Sequence, residues 1–105
     1  MEIKCRLNAR LCCRDSHTCL EFTKEITLPF VPTPGMWLSF PTGGWPAGMC
    51  DFWIDWATWH IAEQVLELEP KDGDSVFLRH AESVSSIEEC RAKLLEIGFT
   101  EQSQA

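Results

Sequence analysis

Hydrophobic and polar positions alternate with period two along most of this chain, and the alternation marks out its strands. Ile3, Cys5, Leu7, Ala9, Leu11 and Cys13 form one set, against Lys4, Arg6, Asn8, Arg10 and Cys12. This is the signature of a half-buried strand, because successive side chains point to opposite faces of a sheet. Leu20, Phe22, Ile26, Leu28 and Phe30 repeat it against Glu21, Thr23, Glu25 and Thr27, with Lys24 alone interrupting the inward set. The two runs register as a hairpin when paired positions sum to 31. Leu11 then meets Leu20, Ala9 meets Phe22, Cys5 meets Ile26 and Ile3 meets Leu28. On the other face Arg10 opposes Glu21 and Arg6 opposes Glu25. Each such pair contributes on the order of 0.2–1 kcal/mol, and a slip of one residue inverts every side chain. The register implies either a two-residue turn at Asp15-Ser16, which is not a favoured hairpin sequence, or a longer loop over Arg14–Thr18.

Pro29, Pro32 and Pro34 end the hairpin. Thr33-Pro34-Gly35-Met36 predicts a type II turn, in which Pro34 presets φ and Gly35 supplies a positive one. A short strand over Met36–Phe40 follows, then a loop rich in glycine and proline that carries Gly43, Gly44 and Trp45.

The stretch MCDFWIDWATWHI, Met49 to Ile61, holds three tryptophans. Strict alternation assigns Phe52, Ile54 and Trp56 to the core. Asp51, Trp53, Asp55 and Trp59 are left for the other face. A turn near Ile61-Ala62 leads into an antiparallel strand over residues 63–69. Residues 70–74 form a turn, and Val76–Leu78 a short sixth strand.

One helix is predicted, Ser86–Ile97. Ser85 or Ser86 is the N-cap, with a glutamate three residues on. Ile87, Cys90, Leu94 and Ile97 make its apolar stripe. Gly98 is the residue that ends it, and Phe99 folds back against it. The expected architecture is therefore α+β and mostly β. Five to six sequential antiparallel strands form a small, partly open barrel or curled sheet, with one C-terminal helix packed on it. Residues 1–99 make a single globular domain and residues 100–105 a flexible tail. The chain shows no internal repeat and no linker.

The 105 residues are enough to bury a real core. No apolar run reaches the length of a membrane span, and the charged N-terminus lacks the apolar stretch of a secretory signal. The expected location is cytoplasmic, without membrane association. In a reducing compartment the six cysteines, which form no CxxC pair, read as buried small residues or free thiols. The net charge of −7 is unevenly spread. Residues 1–30 carry five basic and four acidic side chains, and residues 31–105 carry four basic and twelve acidic. Phosphate-backbone binding needs clustered Lys and Arg, so nucleic acid is not an expected partner.

The face with Trp53, Asp55 and Trp59 is the main candidate for function. Two large rings with a carboxylate between them require a cover. The candidates are the helix stripe of the same chain, a second copy in a homodimer, or a protein partner or ligand. Tryptophan is a favoured interface anchor, and rings beside carboxylates suit a cation. Trp45 joins this candidate binding set if its glycine loop acts as a lid.

The alternative is a zinc or thiol-redox protein using Cys12, His17 and Cys19, which the hairpin register brings together. Their spacing matches no standard zinc motif and supplies three of the four ligands required. Cys50 and His60, with His80 and Cys90 further on, carry no sign of proximity, so no catalytic pair is assigned. Asp72-Gly73-Asp74 lacks the downstream ligands of a calcium loop. Gly43-Gly44 lacks the lysine and following helix of a phosphate loop. The sequence thus predicts no cofactor, no metal and no catalytic residue. It favours a protein-interaction module over an enzyme.

Overall fold

The computed structural model describes residues 2–41, 49–71, 77–81 and 83–102, with the side chains at 41, 49, 50 and 78–81 outside that description. The strands are β1 (Ile3–Cys13), β2 (Cys19–Leu28), β3 (Trp37–Pro41), β4 (Met49–His60), β5 (Val65–Pro70), β6 (Leu78–Ala81) and β7 (Thr100–Glu101). The helix, α1 (Val84–Glu96), precedes β7. The fold is α+β and mostly β: one mixed, curled sheet forms a half-barrel, with the helix packed on it.

The hairpin of β1 and β2 has the register that its charges and apolar pairs dictate, from Ile3 opposite Leu28 to Cys12 opposite Cys19. The connection is the longer loop rather than the two-residue turn. Cys13 N–H donates to the Thr18 carbonyl at 2.8 Å, and His17 takes a left-handed φ of 54° to close it. The type II turn also forms, with Met36 N–H donating to the Thr33 carbonyl at 3.2 Å and Gly35 at φ 90°.

The strand order is β3-β4-β5-β1-β2-β7, so the neighbours are not simply sequential. β5 runs parallel to β1, with Cys5 opposite Leu66 and Leu7 opposite Leu68. β6 is the expected sixth strand, placed at Leu78–Ala81 rather than Val76–Leu78 with Val76 outside the described residues, and it also runs parallel to β1 further along, with Arg10 opposite Leu78. The turn into β5 spans residues 61–64 and closes on Gln64, whose φ is 54°. The tail boundary moves as well. Thr100 and Glu101 pair with Thr23 and Phe22, and Gln102 N–H donates to the Glu21 carbonyl at 2.7 Å. Residues 103–105 lie outside the described residues.

The helix starts two residues before the predicted position. Ser83 is the N-cap, its hydroxyl accepting from Ser86 N–H at 3.3 Å. A serine therefore stands where a capping box would have glutamate. The C-terminus is a Schellman motif. Gly98, at φ 95°, donates to Leu95, and Phe99 donates to Leu94 at 3.0 Å. The motif delivers the Phe99 ring into the core, where it packs against Phe77 and Phe40.

Ile87, Cys90 and Leu94 are buried on the helix, which packs mainly on β1, β6 and β7. Between helix and sheet lie Leu7, Leu11, Phe22, Phe52, Ile54, Leu68 and Phe77. No helix among the described residues is long and apolar enough to cross a membrane.

Candidate functional site

β4 is the longest strand, and it changes partner halfway. Its first part pairs with β3, Trp37 opposite Trp53 and Leu38 opposite Phe52. Its second part pairs with β5 on the other side, from Ile54 opposite Pro70 to His60 opposite Val65. At the change the ladder steps from Ile54–Pro70 to Trp56–Glu69, two residues on β4 against one on β5. This is a β-bulge at Asp55.

The bulge overturns the assignment of Trp56 to the core. Phe52 and Ile54 are fully buried, but Trp56 is 65% exposed. With one residue spent unpaired, Trp56 falls beside Glu69 on the outer face, and Ala57 takes the inward place opposite Leu68. Trp59 shifts with it. It pairs with the buried Leu66 and lies on the inner rim, 49% exposed. Trp53 and Trp59 therefore occupy opposite faces, and Trp53 shares its face with Trp56 instead. Trp45 lies outside the described residues.

The outer face gains a ring that the sequence did not assign to it. Trp37, 60% exposed, meets Trp53 edge to face with ring centroids 4.8 Å apart. Such pairs are favoured by the ring quadrupole. Lys71 Nζ lies 5.9 Å from the Trp53 centroid, within cation–π range. Asp51 beside them accepts from the Ser39 hydroxyl at 2.5 Å. Asp55 is exposed and makes no hydrogen bond or ion pair with a described residue. Trp37 was hidden from sequence reasoning because its role rests on the β3–β4 register, which no charge pair announces.

The helix does not reach these rings. Its stripe is spent on the β1, β6 and β7 side. Further round the outer face, charges answer one another. Arg10 pairs with Glu21 at 3.0 Å as the register demands. Arg6 turns from Glu25 to Glu63, at 2.8 Å, and Glu67, at 3.7 Å, because parallel β5 places Glu67 beside it. Lys4 takes Glu25. Asn8 donates to Glu69 at 2.7 Å, and His60 meets Glu67 at 3.3 Å.

The hydrogen bond and charge of Arg6 hold the Glu63 carboxyl below its usual range. At Glu67 burial pushes the pKa up, but the Asn8 amide, His60 and Arg6 outweigh it and the net shift is downward. A depression of about 340 Å³, lined by Asn8, Arg10, Glu21, Thr23, Glu67 and Glu69 among others, lies over this network.

Two cysteines depart from the expectation of buried residues or free thiols. Cys12 and Cys19 form a disulfide across the hairpin, and Cys12 is buried rather than solvent-facing. The two thiolates that zinc would need are thus joined to each other. Among the described residues no group of three or more His, Cys, Asp or Glu side chains is placed to hold a metal. Cys5, Cys13 and Cys90 are buried. Burial pushes the Cys5 thiol up. The Ser16 hydroxyl and backbone lower that of Cys13. His60 is engaged with Glu67, while the side chains of Cys50 and His80, together with Gly43, Gly44, Asp72, Gly73 and Asp74, lie outside the described residues.

Comparison with known proteins returns no matching family model, no matching characterised protein and no matching solved structure.

Proposed function

We propose that the protein is a non-enzymatic, cytoplasmic interaction module that binds a protein partner, or a second copy of itself, through the aromatic and acidic surface of β4. The supporting observation is the exposure of Trp37, Trp56 and Trp59 around one strand while the helix packs elsewhere. Exposed rings beside carboxylates, here Trp37 and Trp56 on the outer face with Trp59 at the rim, are characteristic of interaction sites. The participating residues are Trp53 and Asp55 from the predicted set, joined by Trp56 and Trp37 on the outer face, with Trp59 on the rim. The low density of basic residues in the chain supports a protein rather than nucleic acid as partner.

The test uses wild type and a Trp56→Ser/Trp59→Ser variant as paired baits, after acrylamide quenching of each. The expected result is a readily quenched fraction in the wild type, reduced in the variant. Capture of a partner, or self-association by light scattering, disappears with it, while the variant keeps a cooperative thermal transition at a Tm lowered only as far as the covered third to half of each ring accounts for. Quenching no greater than that of a buried ring, or capture indifferent to the substitutions, refutes the reading.

A second reading, a thiol-redox protein, is favoured by one observation. The Cys12–Cys19 bridge adjoins Cys13, whose thiol is lowered by Ser16. In the cytoplasm two equivalents of a small thiol such as glutathione would reduce the bridge to two thiols, themselves becoming a disulfide. Mass spectrometry across a glutathione redox series tests it. A bridge that stays closed at cytosolic poise rules this reading out.

A further inference from the structure

The edge of β4 holds more information than its rings. β3 lies on one edge of β4 and β5 on the other. β3 pairs only as far as Trp53. Gly35 and Met36 then bond to Ile54, and the type II turn at Pro34-Gly35 takes the chain off the edge. From Asp55 to His60, β4 is held by β5 on one side, and on the other no described residue pairs with it. An open edge presents a row of unpaired N–H and C=O groups. Beyond the bulge at Asp55, the edge carries neither Lys nor Pro as far as His60.

We infer that this edge accepts an extended segment of another protein as an added strand, and that the segment carries Lys or Arg at alternate positions with apolar residues between them. The inference rests on the interaction reading above and specifies its partner. Strand addition draws affinity from main-chain hydrogen bonds and specificity from alternate side chains. On the outer side an added strand's side chains lie beside Trp56 and Thr58, near Asp55. Asp55 has no partner among the described residues, and Lys71 on Trp53 shows an ammonium accommodated on this aromatic face. On the inner side they lie beside Ala57 and Trp59, next to Ile61, which is 82% exposed. Charge complementarity sets a basic stranger above a second copy, because each copy brings a net charge of −7.

The probe is a dye-labelled, end-capped peptide of alternating lysine and valine, read by fluorescence anisotropy against the full chain. Two control peptides replace lysine by glutamate or N-methylate every backbone amide. Saturable binding is expected. It weakens at least about tenfold with either control or in Asp55→Lys, a loss matching one or two hydrogen bonds. Equal binding of the N-methylated peptide, lost in Trp56→Ser, removes strand addition and leaves the interaction surface standing. Equal binding of the glutamate peptide removes the basic specificity. A homodimer in a dilution series that Trp59→Ser dissociates assigns the edge to a second copy and overturns the occupant. No binding of any peptide, with capture indifferent to the tryptophans, overturns this inference and the interaction reading together.

Discussion

Replacing Trp56 and Phe52 by alanine separates the bulged strand from a regular one. A regular strand places both on the core face, and both substitutions would then open large cavities. In the structure Phe52 is completely buried and touches Phe77, centroid to centroid, at 5.0 Å. Phe→Ala at such a site costs about 3–5 kcal/mol. Trp56 is 65% exposed, so roughly a third of its surface is covered. Taking about 250 Å² for the ring, that is on the order of 80 Å², worth at most about 2 kcal/mol at 25 cal/mol per Å². Alanine recovers part of this, and a realistic unfolded chain already buries some of it. The expected loss is about 1–2 kcal/mol.

Urea unfolding followed by far-ultraviolet circular dichroism reads both values, because each midpoint is fitted between that variant's own folded and unfolded baselines. With a slope of about 1–3 kcal/mol per molar urea, Phe52→Ala moves the midpoint by more than about 1 M, and Trp56→Ala by half of that or less. Domains of this size hold about 5–15 kcal/mol, so Phe52→Ala removes a large share without abolishing folding. Equal losses above about 3 kcal/mol for the two variants refute the bulge and return Trp56 to the core.

Three further variants probe other parts of the fold. Gly98→Ala forces a side chain into φ 95° and towards Lys24 Nζ, the far end of a flexible chain. The backbone cost of about 1–2 kcal/mol should appear in urea midpoints, and a loss below about 0.3 kcal/mol contradicts the Schellman motif. Glu63 and Glu67 both have lowered pKa values, so their contribution is present above the ordinary glutamate value of about 4.3 and is lost as pH falls through the lowered folded values. The stability gap between wild type and Arg6→Met should therefore be widest at neutral pH and narrow below about pH 4; a gap that widens on acidification reverses the sign and rejects the network. Cys12→Ser/Cys19→Ser opens a bridge with a sequence separation of 7. Loop closure of that length is worth about 2.4 kcal/mol, measurable by thermal unfolding under non-reducing conditions, and an unchanged Tm means that the bridge does not form.

What the sequence revealed follows from how local the information is. The β1–β2 register was legible because Arg10 and Glu21 must pair on one face while Ala9 and Phe22 pair on the other. A single register satisfies both. The type II turn and the glycine stop were legible because each depends on one residue's φ. The parallel pairing of β5 and β6 with β1 was not, since Leu66 and Leu78 identify a strand and say nothing about its neighbour. The register placed Cys12 opposite Cys19, but hydrophobic pattern carries no redox state. The candidate surface was half legible: the aromatic, acidic character of β4 was evident, while the grouping of its rings depended on a residue that breaks the alternation.

That residue makes a sharp test possible. Trp53, Trp56 and Trp59 are spaced by three, so in a regular strand they switch face at each step: out, in, out. One unpaired residue at Asp55 changes the sequence to out, out, in. The core explains why this arrangement wins. Phe22, Phe52, Phe77 and Phe99 already fill the inward space, and an indole opposite Leu68 would overpack it at a cost of about 1–3 kcal/mol, whereas Ala57 fits there. Deleting Asp55 follows opposite courses in the two cases. If Asp55 is the bulge residue, its removal makes Ile54 and Trp56 successive in a regular ladder, Ile54 inward, Trp56 outward and Ala57 inward as before. Every later side chain keeps its face, and the variant folds. If the strand were regular, the same deletion would invert every face from Trp56 to His60 and put an alanine where a core indole had been. Circular dichroism and urea unfolding of the deletion variant distinguish the two: a cooperative transition with near-native amplitude supports the bulge, and a chain without a transition eliminates it.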